Sequence, residues 1–302
     1  MTSLARPYHL TRRRSSPRSP FRAPLSGPVV VTGASSGIGE ATVLRLAAGG
    51  QRVLATVRRK VDADRLRAHS DLIETELVDV TSQADVSRLR ERLRDERDGL
   101  AGLVNNAGTA TVGPIEEISV DAWRRAVETN VLGTIAVTKA CIPGLLAGGG
   151  RVVNVSSPSG RLAFPLLGPY AVTKFALEAF NDTLRRELAH QGVRVICVSP
   201  GVVSTPLYDK GLRQADAMLA SADPEVVERY AGLTASAQRA AIDGAAGARP
   251  AADVAVVIAR ALTARAPRLR YTVGADARAA SVAARVLPDR LLDGLLAQLT
   301  SR

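Results

Sequence analysis

From residue 28 onward, short apolar β-branched runs alternate with stretches of helical periodicity, and no other feature constrains the fold as tightly. Residues 28–32, 52–57, 73–78, 100–104, 151–155 and 193–198 read as strands. The segments between them read as helices over about 37–48, 62–68, 82–99, 119–146 and 168–190. A strand that is apolar throughout, rather than at alternate positions, is buried on both faces, as in a parallel sheet covered by helices. Six such β-then-α repeats predict an α/β fold of one domain, a doubly wound parallel sheet. Residues 206–249 break the rhythm as a long, Ala-rich helical insertion. Pro250 then starts a helix over 251–264, and 269–273 supplies a seventh strand. Beyond 275, Val282, Val286, Leu291, Leu295 and Leu299 recur at helical spacing in two helices divided by Pro288. Their mixed charges (Asp289, Arg290, Asp293) predict packing on protein rather than on anionic lipid.

Composition narrows the classes further. The 302 residues are 46% hydrophobic and 23% charged, as in a soluble globular protein with a sizeable core. No uncharged apolar run reaches the roughly 18 residues of a membrane span. The formal charge of +11 is misleading, because residues 1–28 contribute six arginines and no acid. Five prolines in the same stretch block helix and ladder alike, so residues 1–27 read as a disordered tail, and they oppose the amphipathic helix of a transit peptide. No nucleic-acid partner is expected; membrane contact through the tail is kept as an alternative. All but four of the 40 basic residues are arginine, so each surviving lysine invites a chemical explanation. Cys141 and Cys197 make no disulfide framework and read as core residues of a cytoplasmic protein. His9, His69 and His190 lie far apart, and no metal site is expected.

The segment from Thr32 to Gly39, G-x-x-x-G-x-G, falls between the first strand and the first helix. There glycine permits a tight turn and close approach to a pyrophosphate, and the helix N-terminus offers unpaired N–H groups to the anion. This context points to a Rossmann-like dinucleotide site. A protein that binds NAD usually presents an acid about 20 residues further on, to hold the ribose 2′-hydroxyl. Here the second strand ends in Thr56-Val57-Arg58-Arg59-Lys60, and the first acid is Asp62. Guanidinium groups pair with a 2′-phosphate that a carboxylate would repel, so NADP(H) is expected over NAD(H). Ser36 could add a hydroxyl donor.

Tyr170 and Lys174 stand four apart on a predicted helix and share a face. Ser157 lies just after the fifth strand, where a parallel sheet places active-site loops, and Asn130 lies inside the preceding long helix. Each residue alone is unremarkable; downstream of a dinucleotide turn they form a constellation.

Together, Thr32 to Gly39, Asn105-Asn106-Ala107-Gly108, Asn130, Ser157, Tyr170-x-x-x-Lys174 and Pro200-Gly201 resemble the short-chain dehydrogenase/reductase family over about residues 28–275. Residues 53–58 look like NADP(H)-preferring members related to hydroxysteroid and retinol dehydrogenases. The resemblance implies a catalytic set of Asn130, Ser157, Tyr170 and Lys174. Tyr170 would exchange a proton with the reacting oxygen, and Ser157 would orient that oxygen. Lys174 would favour the phenolate and hold the nicotinamide ribose, and Asn130 would hold a water linking Lys174 to solvent. A phenol of ordinary pKa, near about 10, exchanges protons poorly at neutral pH, which is why an adjacent ammonium is needed. Cofactor contacts are implied for Gly33, Ser35, Ser36, Gly37, Ile38, Gly39, Arg58, Asp79, Val80, Asn106, Ala107, Gly108, Tyr170, Lys174, Pro200, Gly201, Val203 and Thr205. Of these, Asp79 would bind the adenine amino group, Asn106 would line the adenine ribose, and Thr205 would bond the carboxamide.

The leading expectation is an NADP(H)-dependent carbonyl reductase or alcohol dehydrogenase. Its substrate should be hydrophobic, because the insertion offers Leu207, Tyr208, Leu212, Met218 and Leu219 as cover. The alternative is a non-catalytic NADP(H)-binding sensor or scaffold. A homodimer or homotetramer is expected from pairing of the long helices at 119–146 and 168–190.

Overall fold

The structure, a computed structural model, describes residues 26–300, without the side chains of residues 208, 212 and 298–300. Residues 1–25 of the expected tail lie outside the described residues, as do the side chains of Tyr208, Leu212 and Leu299. The strands are β1 (Val29–Val31), β2 (Val53–Val57), β3 (Ile73–Leu77), β4 (Gly102–Asn105), β5 (Arg151–Val155), β6 (Arg194–Pro200), the two-residue β7 (Val203–Ser204) and β8 (Arg249–Pro250), and β9 (Arg270–Val273). Between them run α1 (Gly37–Ala48), α2 (Lys60–Arg67), α3 (Gln83–Arg94), α4 (Val120–Val127), α5 (Thr134–Gly148), α6 (Gly168–Leu188), α7 (Pro206–Ser221), α8 (Pro224–Ala246) and α9 (Ala251–Thr263). α10 (Ala275–Val286) and α11 (Asp289–Thr300) close the chain.

Seven strands pair in parallel in the order β3-β2-β1-β4-β5-β6-β9, the doubly wound sheet that the alternation predicts. Side chains alternate across it. Val29, Val31, Val53 and Ala55 face one layer with Val43 and Leu46 of α1 and Ile258 and Leu262 of α9. Val30, Leu54, Leu103 and Val152 face the other, with Leu89 of α3, Val137 and Leu145 of α5 and Leu184 of α6. Full burial of such side chains stabilises by about 1.5–3 kcal/mol each, and both faces need it; hence the uninterrupted apolar runs. β3, at the sheet's edge, departs from that pattern: only Ile73 is buried, and Glu74 and Glu76 are half-buried. Strand order reverses between β1 and β4, and that switch opens a crevice at the carboxyl ends of the strands.

Three expectations are corrected. The helix expected over 119–146 is interrupted by a π-helical turn, Glu128–Gly133, that contains Asn130. The Thr134 hydroxyl donates to Asn130 O at 2.9 Å, and a Cβ on Gly133 would stand 2.7 Å from Val80 Cγ2, so the wide turn is packed in place. The helix Val120–Gly148 is also long and apolar enough, by length and composition, to cross a membrane, contrary to expectation. In the fold, Val137, Cys141 and Leu145 of that helix are buried against the sheet. Finally, Val282, Val286, Leu291 and Leu295 are exposed rather than buried, although α10 packs on β9 and α11 on α8 as helices expected to lie on protein. α10 is held instead by the small, fully buried Ala277 and by Asp276, whose carboxylate accepts from Val202 N at 2.8 Å.

Candidate active site

The glycine turn joins β1 to α1 and is shaped by contacts that only glycine allows. Gly33 and Gly37 have φ of +63° and +58°, a region that side chains disfavour. A Cβ on Gly33 would stand 2.7 Å from Ala107 Cα, and one on Gly39 would stand 2.3 Å from Gly33 O. Thr32 Oγ1 accepts from the backbone N–H groups of Asn106 and Ala107, both at 3.0 Å. The Asn106 amide donates to Thr32 O at 3.0 Å and to Gly33 O at 3.1 Å. Asn106 therefore holds the shape of the turn through both its amide hydrogens. Ser36 is the N-cap of α1 but makes no side-chain capping bond, so the start of the helix stays open to an anion. Thr205, the N-cap of α7, faces this turn, with its Cγ2 3.0 Å from where a Cβ of Gly37 would stand.

Past β2, Arg59, Arg65 and Arg58 have different fates. Arg59 binds Asp62 bidentately at 2.7 and 3.1 Å and holds that carboxyl below its ordinary range. Arg65 donates to Ser35 O at 2.7 Å and pairs with Glu40, tying α2 to the glycine turn. Arg58 is exposed, with no hydrogen-bond or ion-pair partner among the described residues. Asp79, at the end of β3, accepts from Thr81 N at 2.9 Å and from its hydroxyl at 2.7 Å, an Asx turn that leads into α3.

The candidate catalytic residues gather at β5 and α6. Lys174, 8% exposed, donates from Nζ to Val155 O at 2.9 Å, at the end of β5. The same ammonium lies 5.5 Å from the centroid of the Tyr170 ring, within cation–π range. Ser157 caps the 3-10 turn Pro158–Gly160 and accepts from Ser159 N at 3.1 Å, which leaves its own hydroxyl hydrogen free to donate. Asn130 Oδ1 accepts from Thr109 N at 2.8 Å. Its Nδ2 donates to Thr109 O at 2.8 Å and to Thr173 Oγ1 at 3.0 Å. With both amide hydrogens engaged, the Asn130 side chain ties the 107–109 turn to α6. Gly201 approaches α10 so closely that a Cβ would stand 1.9 Å from Asp276 Oδ2.

Ser157, Tyr170 and Lys174 are thus brought to one end of the sheet beside a turn shaped for a dinucleotide. A family model described as "short chain dehydrogenase" matches residues 28–216. The chain belongs to the short chain dehydrogenase family. Retinol dehydrogenase 5 of Homo sapiens is 37% identical over 277 residues, 89% of this chain and 87% of the relative. A short-chain dehydrogenase from Streptomyces avermitilis superposes with a TM-score of 0.71 at 31% identity, covering 91% and 95% of the two chains. Another, from Burkholderia cenocepacia in complex with NADP, has a TM-score of 0.70 at 25% identity, covering 91% and 98%.

Several residues of this family member's site escape sequence reasoning. Thr109 and Thr173 hold Asn130, and nothing in their spacing announces it. Leu166, between Ser157 and Tyr170, has a φ of +65° and is stapled to the opposite loop by the bond from Gly113 N to Leu166 O at 2.8 Å. Asn154 reads as an ordinary strand position and the motif residue Asn105 carries no assigned partner, yet Asn105 Nδ2 donates to Thr138 Oγ1 and Asn154 Oδ1, both at 2.9 Å. Asn154 Nδ2 in turn donates to Asn181 Oδ1 at 3.1 Å, a buried polar row behind the site. Both thiols are buried, as expected of core residues. Burial pushes Cys141 up to about 12, and burial with the Glu178 carboxylate pushes Cys197 up as well.

Proposed function

We propose that the chain is an NADP(H)-dependent oxidoreductase that interconverts a hydrophobic ketone or aldehyde with its alcohol. The catalytic unit is 28–275, with 206–249 as its substrate-side insertion and 276–302 as C-terminal helices. The observation that carries this reading is the Lys174 ammonium, fixed by Val155 O and 5.5 Å from the Tyr170 ring on the helix that follows Ser157. NADP(H) fits the residues present: glycines 33, 37 and 39 leave a cradle that side chains would fill, Ser36 leaves a helix N-terminus open, and Arg58 has no partner for its charge among the described residues. The NADP complex of the Burkholderia cenocepacia relative supports the same choice. When bound, the cofactor gives a hydride to the carbonyl carbon or takes one from the alcohol.

The chain's own residues handle the oxygen. As negative charge builds there, the Tyr170 hydroxyl donates its proton, and in the reverse direction its phenolate accepts one. Lys174, held by Val155 O, sets its positive charge 5.5 Å from the Tyr170 ring. The Ser157 hydroxyl donates to the same oxygen and fixes its direction. Asn130 acts at one remove, by holding α6 and the 107–109 turn together. An alcohol substrate agrees with the name of retinol dehydrogenase 5, and Met218, set against Gly113, gives the insertion an apolar contact with the 107–118 loop. Exposed Val172 and Phe175 on α6, with Leu132 and Leu146 around α5, support pairing of these helices in a homo-oligomer. Two buried free thiols support a cytoplasmic setting. Oxidation of NADPH and NADH, followed in parallel against a panel of ketones and aldehydes, tests the reading. Turnover of apolar carbonyls with NADPH preferred is expected, and absence of turnover with both cofactors overturns it.

A further inference from the structure

Glu178 stands one turn beyond Lys174 on α6, so Tyr170, Lys174 and Glu178 form one row along the helix. Nothing in the proton chemistry uses it, yet it is 8% exposed and surrounded by donors. Arg270 Nε on β9 donates to Oε2 at 3.1 Å, Arg161 Nη2 donates to the same oxygen at 3.4 Å, and Cys197 Sγ on β6 donates to Oε1 at 2.9 Å. Asp182, a further turn along, accepts from Arg270 Nη2 at 2.7 Å and locks that guanidinium. A buried carboxylate is costly unless it is paired, so its retention asks for a reason.

The reason lies in what Arg161 belongs to. It directly follows the 3-10 turn Pro158–Gly160 that Ser157 caps, and its own N–H closes the turn on Pro158 O at 2.9 Å. That turn is pressed onto α6: a Cβ on Gly160 would stand 2.9 Å from Lys174 O and 3.0 Å from Glu178 Cγ. Glycine allows the approach, and the Arg161–Glu178 pair closes it.

We propose that Glu178 is a positioning residue of the site. Anchored from behind by Arg270, its carboxylate holds the 158–161 turn through Arg161 and so fixes the Ser157 hydroxyl relative to Tyr170 and Lys174. The proposal rests on the reading of these three residues as the proton and oxygen-orienting groups. Its first test is independent of that reading: hydrogen exchange of the Ser159 and Gly160 amides, which bond Ser157 Oγ and Ser157 O. In Arg161→Ala and in Glu178→Gln these amides should exchange about tenfold faster, with amides of β1 and β4 unchanged. Unchanged exchange in Arg161→Ala overturns the proposal, and this partly exposed position decides the matter even should Glu178→Gln fail to fold.

The second test is kinetic. Both variants should lose about tenfold in kcat while the NADPH Kd, read by nicotinamide fluorescence, stays within about twofold, because a small misplacement of an orienting group acts on the reacting geometry. Arg161→Lys should recover most of the loss, and the double variant should be no worse than either single one. Wild-type kcat in both variants, or additive losses, sinks the positioning role. Tyr170→Phe, run alongside, keeps the two ideas apart. Should it retain turnover, the reading of the site fails; should it abolish turnover while Arg161→Ala does not lower it, only the role of Glu178 fails.

Discussion

The carboxyl ends of β4 and β5 and the helix pair α7–α8 flank the same site but are built on opposite terms. Around the strands, polar side chains answer one another in the core: Asn105, Thr138, Asn154 and Asn181 in a row, Asn130 between Thr109 and Thr173, Lys174 on Val155 O. The insertion instead exposes most of its surface. It is fastened by the short β7–β8 pairing, by Met218 against Gly113, by buried Val226 and Ser236, and by the Arg229–Glu116 ion pair at 2.5 Å. On the proposed function, proton chemistry, which tolerates little misplacement, falls to this interlinked side, although Asn105 Oδ1 and Asn181 Nδ2 are left without a hydrogen-bond partner among the described residues. On the same reading, substrate choice falls to a surface part fastened to the sheet at few points.

The largest effect should come from the strand side. Tyr170→Phe removes one hydroxyl and should lower kcat by about 10²–10⁴ with little change in NADPH affinity, measured by steady-state kinetics and fluorescence titration. Next, Arg58→Glu should move the ratio of NADPH to NADH affinity toward NADH by about 10–100-fold, since a hydrogen bond to a charged group contributes about 1.5–3 kcal/mol. A ratio that stays put would detach Arg58 from the 2′-phosphate. Asn154→Ala leaves Asn105 and Asn181 facing a void and should cost about 2–3 kcal/mol in urea unfolding. Arg229→Ala, the matching cut in the insertion, should cost at most about 1 kcal/mol, because both partners are well exposed, and should raise KM rather than lower kcat. Equal costs for the two would erase the contrast.

The smallest effect is a pH dependence. Hydrogen bonds from arginine hold the carboxyls of Asp62 and Asp182 below their ordinary value of 3.8 in the fold. Groups with depressed folded-state pKa values contribute stability above the unfolded value and lose it as pH falls through the folded one. The Tm should therefore drop as pH is lowered below about 4, and less steeply in Asp182→Asn.

Much of this was legible before any tertiary structure. The apolar runs mark the parallel sheet, the glycine spacing between β1 and α1 marks the dinucleotide turn, and four-residue spacing puts Tyr170 and Lys174 on one helix face. What escaped depends on partners far apart in the chain. Arg270 lies 92 residues from Glu178, Thr173 lies 43 from Asn130, and Asn106 lies 73 from the Gly33 carbonyl that it holds. The π-helical turn at Asn130 was hidden because its composition suits a plain helix, and the packing of Gly133 on Val80 makes the difference.

The amino-acid order by itself determined the layers of the fold, the place of the phosphate-binding turn, and the residue types available for proton transfer. Those follow from local rules: which positions must be apolar, where glycine is needed, which side chains share a turn. Only the folded chain decided which hydrogen-bonding groups are already engaged and which stay free for a ligand. That distinction leaves Arg58 and the Ser157 hydroxyl hydrogen open and commits Asn106 and Asn130 to the scaffold. Hydrogen-bond capacity is finite, and its allocation is settled by proximity in space rather than along the sequence.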